Sequence, residues 1–131
     1  MDGASSHGKR ILLAIGGGAL KHWTRVPEFF LRSGASIRQA RRHPGCVHAE
    51  VGKYGDLLLS YTGWRSPADM RDFASSGAHL RAMQRVPALV DWFRFHHFAA
   101  DTPPDFAEAA ALWRDAVGLS DDLAGHLPHT A

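Results

Sequence analysis

The sequence predicts an α+β fold in which four β-strands and two main helices follow one another in the order β-α-β-β-α-β, with an extra helix at the end. Short β-prone runs separated by glycine-containing turns indicate the strands. Two longer stretches have apolar residues at helical spacing, and a proline stands in the expected first turn of each. Apolar residues make up 45% of the chain and charged residues 21%, as in ordinary globular proteins.

The first strand and the first helix come from the N-terminal third of the chain. Residues 11–15 form a short β-prone run, and the glycines at 16–18 predict a flexible loop after it. From Val26 onward apolar residues recur at helical spacing, with Pro27 in the first turn. The His-Pro-Gly segment at 43–45 is expected to end this helix.

Two further β-prone runs, residues 46–51 and 57–64, are separated by a short segment that contains two glycines. Such glycines supply the backbone conformations that a hairpin turn requires, so the two runs are predicted to pair antiparallel. Residues 92–99 are expected to form the fourth strand, and residues 106–119 the extra helix.

The second main helix begins after the hairpin. Ser66 is its expected N-cap and Pro67 its first helical residue, and the acidic Asp69 at the third helical position makes the pattern close to a capping box. An interruption is expected at Gly77, and the helix is expected to end near Pro87 or one turn beyond it.

The order of elements is the ferredoxin-like, or split βαβ, pattern, in which an antiparallel sheet carries both helices on one face. The other face must also be covered, because the strand at 57–64 has bulky side chains on both alternating faces. Two copies that pack their sheets face to face in a closed twofold dimer would cover it. A homodimer is therefore predicted.

Composition and charge exclude several classes of protein. The net charge of +2 gives no reason to expect a nucleic-acid partner. The single cysteine, Cys46, cannot form an intrachain disulfide, and the N-terminal region lacks the long apolar run of a membrane span or signal core. We therefore expect a cytoplasmic protein with one domain at residues 11–119, a flexible segment at 1–10 and a loose tail at 120–131.

Four segments together resemble one family: residues 23–29 (WTRVPEF), 38–46 (RQARRHPGC), 64–70 (WRSPADM) and 76–83 (SGAHLRAM). In order and spacing they are similar to the dimeric α/β-barrel superfamily, which includes antibiotic biosynthesis monooxygenases and heme-degrading oxygenases. The last segment is also similar to uncharacterised proteins related to spheroidene monooxygenase. The resemblance spans residues 11–99 and implies a ferredoxin-like domain that dimerises.

The resemblance implies an enzyme but leaves its reaction open, because the superfamily also contains decarboxylases and cyclases. We expect a small enzyme of secondary metabolism, similar to the antibiotic biosynthesis monooxygenases, that acts without a cofactor on an apolar aromatic or polyketide-like molecule by histidine-assisted proton abstraction. Three alternatives stay open: a heme-binding oxygenase, a non-oxidative cyclase or isomerase, and a ligand-binding protein without catalysis. The iron-binding histidine of heme-degrading relatives falls about one turn after His79, where this chain has Met83.

Two histidines are the expected catalytic residues. The resemblance places a histidine at His79, and a neutral imidazole serves as a base or acid near neutral pH. On an unbroken helix His79 would lie about 140° from the centre of the apolar stripe, facing solvent, but a break at Gly77 changes its direction. His97 shares a strand face with Phe93 and Phe95, where burial favours the neutral ring. The plain alternatives are a surface histidine and a buried structural one.

A cavity between the sheet and the helices is expected to bind the substrate. The side chains expected to line it are Tyr61, His48, Trp64, Trp23, Phe95 and Met83. Large aromatic residues at the ends of elements are also common in plain cores and dimer contacts. No metal site built from protein ligands is expected, and His79 would bind iron only if heme were present.

Overall fold

Helices lie on both faces of a four-stranded antiparallel sheet in the computed structural model, which describes residues 10–118. The strands are β1 (Ile11–Leu20), β2 (Cys46–Tyr54), β3 (Leu57–Trp64) and β4 (Val90–Ala100), in the sheet order β2-β3-β1-β4. The helices are α1 (Val26–Arg42), α2 (Pro67–Ala74), α3 (Gly77–Leu89) and α4 (Phe106–Val117), and a 3-10 turn at Trp23–Arg25 precedes α1. The predicted ferredoxin-like α+β fold with an extra C-terminal helix is confirmed. The predicted flexible N-terminus, apart from Arg10, and the predicted tail lie outside the described residues.

Strand β1 is longer than predicted, because the glycines at 16–18 continue it. A Cβ atom on Gly16 would overlap the ring of Phe95, and one on Gly17 would lie 2.7 Å from the ring of Trp113. Aromatic rings from β4 and α4 therefore occupy the space that side chains on this part of β1 would need. The prediction of a loop at residues 16–18 is wrong. These glycines continue the strand because they allow aromatic rings to pack closely against it.

The interruption expected in the second helix is confirmed. The Ser66 hydroxyl oxygen accepts a hydrogen bond from the backbone N–H of Asp69 at 3.1 Å and so caps α2. Helix α2 ends at Ala74, and α3 begins at Gly77 and continues through Pro87 to Leu89. None of the helices between residues 10 and 118 is long and apolar enough to cross a membrane.

The extra helix α4 covers the sheet face that was expected to need a second copy. Trp113 on α4 is fully buried in a core cluster with Leu13 and Leu59, and its indole N–H donates to the carbonyl of Arg94 at 2.9 Å. The side chains of Asp105 and Glu108 form a capping box that starts the helix. The argument for a face-to-face pair of sheets is therefore wrong for this chain, because its own helix buries that face. A homodimer stays a prediction that sedimentation velocity tests.

Candidate active site

A cavity of about 320 Å³ lies between the sheet and helices α1, α2 and α3. This volume is at the lower end of the range of roughly 300–1,000 Å³ found for small-molecule sites. Most of the lining is apolar, and it includes Phe29, Ile37, Met70, Phe73, Met83 and Phe95. The cavity therefore suits an apolar ligand the size of a few rings.

The floor of the cavity is the face of the sheet that lies toward α1, α2 and α3. Ala14 on β1 pairs with Thr62 on β3 and with His97 on β4, so these three residues form one row across the sheet. All three line the cavity. The small Ala14 leaves room above the sheet between the two polar side chains.

The break between α2 and α3 positions His79. Gly77 has a φ of +64°, which favours glycine, and this conformation turns the chain between the two helices. The side chain of Gln39 on α1 holds the junction: its Nε2 donates to the carbonyls of Phe73 at 3.2 Å and Ser76 at 3.0 Å. Its Oε1 accepts the backbone N–H of His79 at 2.7 Å. The break thereby brings His79 into the cavity lining instead of the solvent-facing side of an unbroken helix.

The hydrogen bond of the His79 ring fixes its tautomer. Nδ1 lies 3.1 Å from the carbonyl oxygen of Ala74, and because a carbonyl only accepts, Nδ1 carries the proton. Burial lowers the pKa of His79, and the bond to Ala74 opposes that shift only in part. The ring also contacts Phe73, with centroids 4.5 Å apart. Within residues 10–118 no group hydrogen-bonds to Nε2, which leaves a neutral imidazole with one accepting nitrogen.

His97 approaches the same cavity from the sheet. It lines the cavity together with Phe93 and Phe95, as the alternation of strand side chains predicts. Unlike His79 it is exposed, because β4 is an edge strand of the sheet that residues 10–118 form. The expected burial of His97 is therefore not found.

Tyr61 and His48 lie on the opposite face of the sheet from the cavity. The Tyr61 hydroxyl donates to the carbonyl of Pro104 at 2.7 Å, and its ring packs on His48 with centroids 4.4 Å apart. His48 in turn lies 2.9 Å from Glu50, and burial raises the pKa of Tyr61 to about 12. The prediction that these two side chains line the cavity is wrong, because their positions on β2 and β3 face α4.

The two tryptophans expected in the lining are also elsewhere. Trp64 is fully buried behind the cavity wall, where it packs on Phe73 at a centroid distance of 4.8 Å and donates to the Thr62 hydroxyl at 2.9 Å. Trp23 is 70% exposed and lies in a separate shallow cleft with Phe30. Of the six predicted lining residues, the structure brings only Phe95 and Met83 to the histidines.

Arg32, Ser36 and Gln39 are among the residues of the site that the sequence did not predict. Arg32 and Ser36 line the cavity from α1, and Gln39 holds the junction beside His79. A signal for the first two was present, since they follow the helical spacing of the cavity-lining Phe29 and Ile37. For Gln39 the sequence carried no signal, because its three partners lie 34 to 40 residues away.

In the described part of the chain no group of three histidine, cysteine, aspartate or glutamate side chains is placed to hold a metal ion. The titratable residues that line the cavity are His79, His97 and Arg32.

Solved structures share this arrangement of strands and helices. A protein from Nitrosomonas europaea named "putative antibiotic biosynthesis monooxygenase" superposes with a TM-score of 0.65 at 12% identity, over 72% of this chain and 94% of that one. A protein of the same name from Chloroflexus aurantiacus gives a TM-score of 0.59 at 16% identity, over 72% and 97%. The chain has the fold of the antibiotic biosynthesis monooxygenase-like proteins. At these identities the likeness shows the fold alone.

Other neighbours with this monooxygenase-like fold carry names without an activity. Rv0793 from Mycobacterium tuberculosis superposes with a TM-score of 0.60 at 17% identity, over 74% of this chain and 98% of that one. No protein-family model and no curated protein matches the chain.

Proposed function

We propose that this chain is a small cofactor-independent monooxygenase of secondary metabolism that acts on an apolar aromatic or polyketide-like molecule. The observation that carries the proposal is the His79 imidazole, whose Nδ1 is bonded to Ala74 while Nε2 is the accepting nitrogen in a mostly apolar cavity. Burial keeps this ring neutral near neutral pH because it lowers the pKa of His79. A neutral, oriented imidazole in a mostly apolar pocket is suited to proton abstraction.

The proposed reaction converts an activated methylene of the substrate into a carbonyl. His79 Nε2 takes a proton from the methylene carbon, and the resulting carbanion is stabilised as an enolate by a conjugated carbonyl of the substrate and by the adjoining aromatic rings. The carbanion gives electrons to dioxygen, a carbon–oxygen bond forms, and the imidazolium returns its proton to the peroxide. Loss of the second methylene proton then breaks the oxygen–oxygen bond. One oxygen atom stays in the product as the carbonyl, and the other leaves as water, so R2CH2 and O2 give R2CO and H2O.

The protein's part in this reaction is to supply the base, the orientation and the apolar surroundings. Phe73, in ring contact with His79, limits the access of water to the base. On the sheet side, His97 is proposed to donate a hydrogen bond to the oxygen of the developing enolate. The exposure of His97 leaves it able to exchange protons with solvent between turnovers.

Heme is the cofactor that the fold family suggests, and the cavity contains one side chain that could bind its iron. His79 Nε2 is a nitrogen of the kind that binds heme iron, and when heme is bound it supplies the redox chemistry of its iron. Met83 lines the same cavity. It stands where the resemblance places the iron-binding histidine of heme-degrading relatives. Titration of the purified protein with hemin distinguishes a cofactor-independent protein from a heme-binding one. A Soret band that is lost in His79→Gln indicates that His79 binds the heme iron.

The test of the proposal uses anthrone, a tricyclic ketone with an acidic methylene, and an oxygen electrode. Wild-type protein is expected to consume oxygen and form the quinone, and His79→Gln to lose at least about 100-fold in rate, as expected for removal of a general base. His96→Gln is the matched control, because His96 neighbours His97 but faces the opposite side of β4 and contacts Phe98. Equal rates for wild type and His79→Gln would refute the proposal.

An anaerobic arm separates the alternatives. Consumption of substrate without oxygen would indicate a cyclase or isomerase that uses the same base. Tight binding of the substrate without any turnover would indicate a ligand-binding protein.

A further inference from the structure

One wall of the cavity is polar and carries a permanent positive charge. A single face of α1 lines the cavity, and its residues are Phe29, Arg32, Ser33, Ser36 and Ile37. Arg32 is the permanently charged member of the lining, and among the described residues that form the lining there is no aspartate or glutamate. An apolar cavity with a cation in its wall favours ligands of opposite charge.

The charge of Arg32 is only partly balanced by its neighbour. Glu28 accepts from Arg32 Nε at 2.7 Å, but it also accepts from Arg85 Nε at 2.6 Å and from Arg85 Nη2 at 3.0 Å. The two guanidinium groups lower the pKa of Glu28 to about 2, so that its carboxylate is ionised at neutral pH. Two cations thus share one anion, and the cluster keeps one positive charge.

Hydrogen-bond donors remain available beside that charge. Within residues 10–118 the Nη1 and Nη2 groups of Arg32 have no hydrogen-bond partner, and neither has the hydroxyl of Ser36, one turn along α1. A guanidinium with two free amino groups matches the two oxygens of a carboxylate. Glu28 holds the side chain in place through Nε, which leaves those amino groups for a ligand.

We infer that the cavity takes an apolar aromatic molecule bearing one acidic group, a carboxylate or an equivalent anion, which Arg32 and Ser36 bind from α1. This inference deepens the proposed function and depends on it only for the statement that the other end of the ligand reacts at His79.

The distance between the two ends bounds the shape of the ligand. Gln39, which bonds to the backbone of His79, and Arg32 are seven residues apart on α1. At 1.5 Å of rise per residue they are separated by about 10 Å along the helix axis. The reacting carbon and the acidic group are therefore expected at opposite ends of the ligand.

A matched pair of fluorescent dyes tests this charge preference without any turnover. 8-Anilinonaphthalene-1-sulfonate is an anion, and N-phenyl-1-naphthylamine has the same ring system without the sulfonate. Wild-type protein is expected to bind the anionic dye about tenfold more tightly, the ratio expected from one charge-assisted hydrogen bond. Arg32→Gln should abolish this preference for the anionic dye and leave the affinity for the neutral dye within about twofold of the wild-type value. Arg32→Lys should retain part of the preference.

Arg38→Gln is the control, because Arg38 is exposed on α1 and does not line the cavity. A Met83→Trp variant, which fills the cavity, should weaken the binding of both dyes. Equal affinity of the two dyes for wild type, an unchanged ratio in Arg32→Gln, or anionic-dye binding that survives Met83→Trp would each overturn the inference. Because no reaction is measured, failure of the proposed oxygenase activity would leave the charge preference of the cavity standing. Likewise, loss of the charge preference would leave the oxygenase proposal untouched.

Discussion

Replacement of Gln39 by alanine tests whether the junction between α2 and α3 depends on one side chain. The change removes three hydrogen bonds, of 3.2, 3.0 and 2.7 Å, to Phe73, Ser76 and His79. Each is worth roughly 0.5–1.5 kcal/mol net, and because the site is partly exposed, water replaces some of them in the variant. We expect Gln39→Ala to lower the free energy of unfolding by about 2 kcal/mol.

Chemical denaturation followed by far-UV circular dichroism measures this loss. Gln84→Ala is the matched control, since Gln84 is exposed on α3, and it should change the free energy of unfolding by less than about 0.5 kcal/mol. Gln39→Glu sharpens the test because a carboxylate keeps the acceptor for the His79 N–H but cannot donate to the two carbonyls. It should therefore destabilise at least as much as alanine. Equal stabilities of Gln39→Ala and Gln84→Ala would refute the role given to this side chain.

Two further predictions concern charge and packing. Glu28 has a folded pKa of about 2 against an ordinary 4.5, so its contribution to stability is present above pH 4.5 and is lost as the pH falls toward 2. The free energy of unfolding of wild type should therefore fall more steeply than that of Glu28→Gln between those pH values, and parallel curves would contradict the shared ion pair. Gly16→Ala should destabilise by about 1–3 kcal/mol, because the new Cβ would overlap the Phe95 ring, and thermal unfolding measures this loss. Gly34→Ala, in mid-helix with its nearest contact at 3.6 Å, should instead stabilise by about 0.5–1 kcal/mol, and the opposite order would contradict the packing of β1.

Local patterns predicted most of the fold because they carry their own physical cause. The serine cap at Ser66, the proline in the first turn of α1 and the hairpin between β2 and β3 each depend on residues close in sequence. The break at Gly77 belongs to the same class, and it was also the feature that predicted the direction of His79. Local conformational preferences are therefore sufficient for the order and approximate bounds of these elements.

Features that depend on distant partners were missed. The glycines at 16–18 indicated a loop because nothing local shows that Phe95 and Trp113 fill the space beside them. The spacing at 106–119 predicts a helix but not where it docks, so the sequence alone leaves uncovered the sheet face that α4 buries. Tyr61 and His48 lie on the same α4-covered face, and strand alternation alone does not show which face of the sheet carries the cavity.

The central claim is that His79 is a neutral base, protonated at Nδ1, whose pKa is lowered by its place in the cavity. Nitrogen-15 NMR of the histidine side chains across a pH titration, with His79 assigned from the spectrum of His79→Gln, tests the tautomer and the pKa together. The account predicts the Nδ1–H tautomer and a pKa below the ordinary value of about 6.5. An Nε2–H tautomer, or a pKa at or above that value, would contradict it.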